Sequence, residues 1–349
     1  MTTNGRIKLR IKKIIAETVD TKSFVLEALD GQRVSYQPGQ FLSFVFQKAN
    51  GEEERRNYSI SSVPDAAEPL QVTVKRVPNG EYSRNLVDLA KEGDLLTTIG
   101  ASGFFTLPVQ SELPDQFVFF AAGSGITPVF SLIQTILQKH PAMDVLLVYS
   151  NRSEADTIFY RQLKELQKIY PEKFRIEFLF SNQTDIHHKR LGIYLLEKFL
   201  QQYVAAPIRK QLFYLCGPFE YMRMITIVLR NHGVPFQHIR KEVFIIEKPV
   251  MKLLPPDHEM HQVTVTVNNK VYVFNTQFPE TILQTAKKMN IPFPYSCEAG
   301  QCGTCAATCV SGKVWMWRND VLLDEEIANG RVLTCTGFVI DEDLVIKYL

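Results

Sequence analysis

The sequence is short of what a secreted, nucleic-acid-binding or membrane-spanning chain needs. Six cysteines in 349 residues are too few for a disulfide framework, and no secretory leader is apparent, so a reducing cytoplasm is the expected compartment. The formal net charge is only +2 and no basic run interrupts the chain, which argues against nucleic acid as a partner. No apolar run approaches the length of a membrane span, so a soluble chain without a membrane partner is expected, and we take it as a monomer. Histidine offers little: His187 and His188 lie in a polar loop with no partner at metal-ligand spacing and receive no role. What remains is an ordinary globular composition and a length that predicts two or three domains, each large enough to bury a core.

The few cysteines are concentrated. Cys297, Cys302 and Cys305 stand at Cys-x4-Cys-x2-Cys spacing and Cys335 follows much later, which is the ligand pattern of a plant-type [2Fe-2S] ferredoxin. Each iron needs two thiolates, so three ligands on one loop and a fourth from a distant strand can close around a cluster. Gly300 and Gly303 let loop N–H groups turn inward. A structural zinc is the competing reading, but it usually takes two Cys-x2-Cys pairs or a Cys/His mixture, and one such pair occurs. Cys309 is read as a small buried thiol, since four ligands already saturate the cluster.

Upstream, period-two alternation over residues 6–12 and turn-bounded strands at 21–27 and 40–46 predict an antiparallel sheet or barrel. The chemistry there starts at Arg56-Asn57-Tyr58-Ser59 and gains weight from Lys75-Arg76 and from Gly80-Glu81-Tyr82-Ser83. The last segment opens a predicted helix whose apolar stripe is Leu86, Leu89 and Ala90, and a hydroxyl at a helix start beside a forked guanidinium suits a phosphate. From residue 117 the pattern becomes strands at 117–122, 145–149, 174–180, 212–216 and 239–246 alternating with amphipathic helices. Such alternation predicts a parallel sheet with its ligand at the carboxyl ends. Gly123-Ser124-Gly125-Ile126-Thr127-Pro128 falls at the first such end, with Thr127 expected as N-cap and Pro128 as first helical residue. After the second strand, Arg152 favours a nucleotide with a 2′-phosphate, hence NADPH, while Glu154 leaves room for NADH. Prolines at 249, 255 and 256 mark a linker, an Asn268-Asn269 turn marks a hairpin, residues 281–289 a short helix and 343–348 a last strand.

Arg-x-Tyr-Ser, Gly-x-x-Ser, Gly-x-Gly-x-x-Pro, Cys-Gly-Pro and Glu242-x-Phe244 together resemble the ferredoxin-NADP reductase superfamily, and residues 261–349 resemble a β-grasp ferredoxin. The resemblance implies three domains: an antiparallel FAD barrel (1–110), an α/β parallel-sheet nucleotide domain (111–247) and, after a linker (248–260), an α+β ferredoxin (261–349). It implies that Arg56, Asn57, Tyr58, Ser59, Lys75, Arg76, Gly80, Tyr82 and Ser83 hold flavin. The loop at residues 100–108 favours FAD over FMN. Gly123, Ser124, Gly125, Thr127, Pro128, Arg152, Ser153, Gly217, Pro218 and Met222 would bind the pyridine nucleotide. Tyr58, Ser59, Cys216, Glu242 and Phe244 would surround the hydride transfer, with Phe244 also covering the flavin. The order of domains is similar to the reductase components of multicomponent oxygenases. That implies NAD(P)H oxidation through FAD and a [2Fe-2S] cluster towards a protein acceptor, an oxygenase component. Another acceptor, such as a hybrid-cluster protein or a quinone, or a redox sensor without turnover, would carry the same motifs. The acidic residues Asp324, Glu325, Glu326, Asp341, Glu342 and Asp343 are read as a solvated face.

Overall fold

The computed structural model describes residues 6–48, 50–64, 68–108, 113–183, 189–244, 251 and 253–348. They form two compact units: Arg6–Ala101 with Phe105–Phe244, and Ser102–Phe104 with the residues from 251 onward. His187, His188, Lys248, Pro249 and residues 245 and 246 lie outside the described residues.

The first unit begins with β1 (Ile7–Thr18), β2 (Thr21–Ala28), β3 (Phe41–Gln47), β4 (Glu53–Ser59), β5 (Leu70–Lys75) and β6 (Leu95–Ser102), in the sheet order β4-β3-β6-β1-β2-β5. β1 buries Leu9 and Ile11 and turns its lysines outward, as period-two alternation requires. Ile60, just past β4, bridges Val72 of β5, so the two edge strands meet and the sheet closes into a barrel. Its core is Leu9, Ile11, Phe24, Leu42, Phe44 and Val72.

Between β5 and β6 a single turn, α1 (Glu81–Arg84), runs into a wide π-turn over Asn85–Leu89. The expected stripe is corrected here. The extra residue in the π-turn rotates the face, so Leu86 and Val87 are buried while Leu89 is 67% exposed.

The same unit continues with β7 (Gln116–Ala122), α2 (Ile126–Lys139), β8 (Asp144–Asn151), α3 (Tyr160–Ile169), β9 (Phe174–Phe180), α4 (Ile193–Tyr203), β10 (Leu212–Cys216), α5 (Phe219–Asn231) and β11 (Ile239–Glu242). All pairings are parallel in the order β11-β10-β7-β8-β9, with apolar clusters on both faces of the sheet. Two expectations are corrected. Gly123–Gly125 forms a 3-10 turn and α2 starts at Ile126, so Thr127 and Pro128 lie inside the first turn and the Thr127 hydroxyl donates back to the Ser124 carbonyl at 3.0 Å. The fifth strand ends at Glu242; Val243 and Phe244 are described but belong to no strand. Barrel and parallel sheet are joined directly, for Ser131 of α2 donates to the Ser62 carbonyl at 2.6 Å and Tyr214 of β10 to the Thr106 carbonyl at 2.8 Å.

The second unit contains β12 (His261–Val267), β13 (Lys270–Thr276), α6 (Ile282–Lys288), β14 (Ala306–Met316), α7 (Asp324–Ala328), β15 (Arg331–Leu333) and β16 (Gly337–Lys347), in the order β13-β12-β16-β14-β15. Asn268 and Asn269 adopt φ of 50° and 61°, the twist a two-residue hairpin loop needs. Thr281 caps α6 in a reciprocal capping box with Gln284, and Ile282, Leu283 and Ala286 pack on the sheet. The last strand begins at Gly337, six residues before its expected start at 343. Ahead of β12, the Asp257 carboxylate accepts from the backbone of Glu259 (2.7 Å) and Asp341 (2.8 Å) and is 2.7 Å from His261 Nε2, which ties the end of the linker to this unit.

Candidate functional site

On the barrel, β3 and β4 lie antiparallel with Leu42 opposite Tyr58 and Phe41 opposite Ser59. Arg56, Asn57, Tyr58 and Ser59 therefore follow one another along a single strand. Asn57 accepts from the buried Ser43 hydroxyl at 2.7 Å. Tyr58 packs against Phe44, 5.9 Å between ring centres, and burial raises its phenol pKa while the Arg56 charge opposes the shift. The Arg56 guanidinium lies 5.2 Å over the Tyr82 ring and is paired with Glu54, whose other oxygen accepts from the Tyr82 hydroxyl at 3.1 Å. Arg56 and Tyr82 are thus brought together, and Glu54 occupies the fork that a phosphate would use. Gly80 and Ser83 form a tight cradle: a Cβ at Gly80 would come within 2.6 Å of the Ser83 hydroxyl oxygen, which itself accepts from the Val77 N–H at 3.1 Å. Lys75 and Arg76 are drawn aside, to Asp20 (3.5 Å) and Asp88 (2.9 Å).

At the carboxyl ends of the parallel strands two turns meet. A Cβ on Gly125 would lie 2.0 Å from the Cys216 carbonyl oxygen, and one on Gly217 would lie 2.9 Å from Ala122 Cβ, so the Gly123-Ser124-Gly125 turn and the Cys216-Gly217-Pro218 turn approach backbone to backbone. Gly123 has φ +55° with open space where a side chain would stand. Tyr149 donates to the Gly123 carbonyl at 2.9 Å and Tyr221 to the Ala121 carbonyl at 3.3 Å, fixing the turn from both sides. The enclosed Asn151 Nδ2 makes no well-formed hydrogen bond among the described residues, although the Tyr149 hydroxyl lies near enough for the two side chains to interact. Asn151, Tyr149 and Tyr221 were missed as site residues. Only their places at the end of the second strand and just before Met222 could have pointed to them. Arg152 is exposed, and the Ser153 hydroxyl donates to Asp156 at 2.5 Å. The Met222 side chain is buried in the core with Leu215, Ile225 and Leu229.

Register places Cys216 opposite Glu242. The Cys216 thiol is pushed well up, first by burial and then by the Glu242 charge. Glu242 is half-buried by its surface, yet its carboxyl is enclosed enough for burial to raise it to about 8. Phe244 is 44% exposed two residues beyond, free to lie against a planar group.

In the second unit the four thiols lie within reach of one another: Cys297 interacts with Cys302, and Cys305 with Cys335 and also with Cys302. Cys302 first, then the N–H groups of Ala299, Gln301 and Cys302, hold the Cys297 thiol below its ordinary range. The Ala299 N–H lies 3.4 Å from Cys297 Sγ and the Cys297 N–H 3.5 Å from Cys302 Sγ. No three His, Cys, Asp or Glu side chains among the described residues converge as they would on a single metal ion. Three thiols from one loop and a fourth from the turn after β15 supply the four thiolates that a two-iron cluster needs. Gly300, at φ +73°, leaves no room for a Cβ, which would be 2.8 Å from the Arg318 carbonyl oxygen. The loop therefore fits a [2Fe-2S] cluster. Cys309 stands apart, its thiol near the Ser311 and Gly312 carbonyls at 3.5 and 3.4 Å.

Comparison with known proteins agrees with this division. Residues 6–107 match the oxidoreductase FAD-binding domain family, 119–226 the oxidoreductase NAD-binding domain and 265–339 the 2Fe-2S iron-sulfur cluster binding domain. The chain is 31% identical over 351 residues to the ferredoxin reductase component of 3-ketosteroid-9-alpha-monooxygenase from Rhodococcus rhodochrous, covering 97% of this chain and 96% of the relative. It is 31% identical over 355 residues to one of the subunits of 1,2-phenylacetyl-CoA epoxidase from Escherichia coli, covering 97% of each. Against the glycine betaine monooxygenase reductase subunit of Pseudomonas aeruginosa the figures are 30% over 361 residues, 99% of this chain and 96% of the relative. Among solved structures, phthalate dioxygenase reductase superposes with a TM-score of 0.60 at 23% identity, covering 99% of this chain and 98% of its own, which is a likeness of fold.

Proposed function

Since this chain belongs to the family of ferredoxin reductase components of oxygenases, we propose that its acceptor is an oxygenase component and its reductant NADPH. The chain is an NAD(P)H-dependent oxidoreductase with FAD, pyridine-nucleotide and [2Fe-2S] domains. When bound, the flavin accepts a hydride as two electrons and the cluster passes them on one at a time; the protein's task is to bind and orient. Arg56 and the Gly80–Ser83 cradle would hold the flavin phosphates, and Tyr58 and Phe244 would flank the flavin ring. Gly123, with open space where a Cβ would stand, would admit the nucleotide's pyrophosphate against bare backbone, while Gly125 and Gly217 let the two turns close on each other beside it. Cys216 and Glu242 would border the nicotinamide, with the Glu242 proton bound below about pH 8. Cys297 and Cys302 would hold one iron, Cys305 and Cys335 the other.

NADPH is proposed from Arg152, exposed just past the end of β8, whose guanidinium suits a 2′-phosphate. A phenylacetyl-CoA epoxidase-like partner is one form of the proposed acceptor. None of the six cysteines is in a disulfide, which supports a cytoplasmic location. No helix among the described residues is long and apolar enough to cross a membrane. We take the chain as a monomer that meets its acceptor transiently.

The observation that carries the reading is the gathering of four thiols in a 2Fe-2S domain of a chain that also holds flavin and nucleotide domains. The test is turnover: the full-length protein should oxidise NADPH continuously with cytochrome c and transfer electrons to an added oxygenase component. A protein that oxidises NADPH only once per cofactor set would be a sensor.

A further inference from the structure

Behind one thiol pair runs a hydrogen-bonded relay that the ligand spacing does not require. Thr334, fully buried and adjacent to Cys335, donates its hydroxyl proton to the Cys305 carbonyl oxygen at 3.1 Å. A hydroxyl has one proton, so the other contact of this oxygen, 2.9 Å to the Tyr348 hydroxyl, is received from the phenol. The chain is therefore directed, from Tyr348 through Thr334 to the carbonyl of a cluster-loop cysteine.

Tyr348 is held in place to do this. Its ring meets Phe293 edge-on at 5.1 Å, and its N–H donates to the Thr266 carbonyl at 3.0 Å. A phenol is protonated at neutral pH, so it serves as the donor at the outer end of this chain.

We propose that Tyr348 is a positioning residue for the Cys305 and Cys335 ligands, acting through Thr334 to fix the Cys305 carbonyl and to offset the negative end of that dipole beside the cluster. The proposal rests on the reading of these cysteines as ligands. On reduction the cluster gains negative charge, and a proton held on the Cys305 carbonyl oxygen weakens the repulsion between that oxygen and the added charge. Loss of the relay should make the cluster harder to reduce.

The test uses the full-length protein carrying its cluster. Tyr348→Phe removes one hydroxyl and keeps the ring against Phe293. Its cluster should be about three- to tenfold harder to reduce, or about 28 to 59 mV more negative for one electron, in a redox titration followed by electron spin resonance. Thr334→Val should match it, Thr334→Ser should behave as wild type, and Tyr348→Phe added to Thr334→Val should change nothing further. An unmoved potential in Tyr348→Phe, with the wild-type cluster normal, would overturn the relay alone. Absence of any [2Fe-2S] signal from the wild-type protein would instead overturn the ligand reading beneath it.

Discussion

Replacing Gly125 by alanine probes whether the Gly-rich turn and the Cys-Gly-Pro turn form one nucleotide site. The added Cβ would sit 2.0 Å from the Cys216 carbonyl oxygen and 2.5 Å from its carbon, both backbone atoms that no rotamer change can move. One turn must therefore move away from the other by more than an ångström. Overpacking of this kind costs about 1–3 kcal/mol, and if it falls on the nucleotide-bound state it weakens binding about five- to a hundredfold. Gly123→Ala is the internal comparison, because that Cβ meets no atom within 4 Å and the substitution bears only the φ of +55°. Its cost is about 1 kcal/mol and its effect about fivefold. The assay is steady-state NADPH oxidation with ferricyanide, with flavin content and cluster absorbance measured on each variant. Gly125→Ala should raise KM more than Gly123→Ala and, because Cys216 moves, lower kcat as well. Wild-type KM and kcat in Gly125→Ala would refute the account of a shared backbone cradle.

Glu242→Gln should flatten the pH profile of NADPH oxidation near pH 8. In the wild type the carboxyl ionises there and favours the cationic oxidised nicotinamide, so the rate rises through that range. The stability sign is opposite: a carboxyl raised from 4.5 to about 8 on folding weakens the fold as pH climbs between those values, so Glu242→Gln should gain in thermal stability over wild type at pH 9 and not at pH 4. Cys335→Ser should abolish the cluster absorbance while Cys309→Ser leaves it intact; the reverse would mean that the fourth ligand is misassigned. Arg152→Ala should raise KM for NADPH about ten- to a hundredfold, the worth of a charge-assisted contact of about 1.5–3 kcal/mol, and leave KM for NADH nearly unchanged. An equal loss with both nucleotides would remove the case for NADPH.

The elements that could be read in advance are those whose signal is local. The Asn268–Asn269 hairpin rests on two residues that tolerate positive φ, and α6 on a Thr281/Gln284 capping box, so neither needs the rest of the chain. The parallel strands were legible because both faces are covered, which leaves near-continuous apolar runs such as residues 117–122. Helix starts were less so: Thr127 and Pro128 have the right chemistry for a cap, but the 3-10 turn at Gly123–Gly125 begins the helical path earlier. The π-turn that exposes Leu89 leaves no mark in a 3.6-residue period. Within the candidate site, spacing identifies four thiols but not that Cys335 comes up beside Cys305, since that depends on how β15 returns beside β14. Tyr348 and Thr334 belong to no motif, and only the fold sets them behind Cys305.

The central claim is that electrons from a pyridine nucleotide reach a cluster held by Cys297, Cys302, Cys305 and Cys335 in the same chain. Anaerobic addition of NADPH to the purified full-length protein, frozen and examined by electron spin resonance, tests it most directly. The account predicts the rhombic signal of a [2Fe-2S]⁺ centre, absent from Cys335→Ser. A signal that appears with dithionite but never with NADPH or NADH, or a colourless protein carrying stoichiometric zinc, would contradict it.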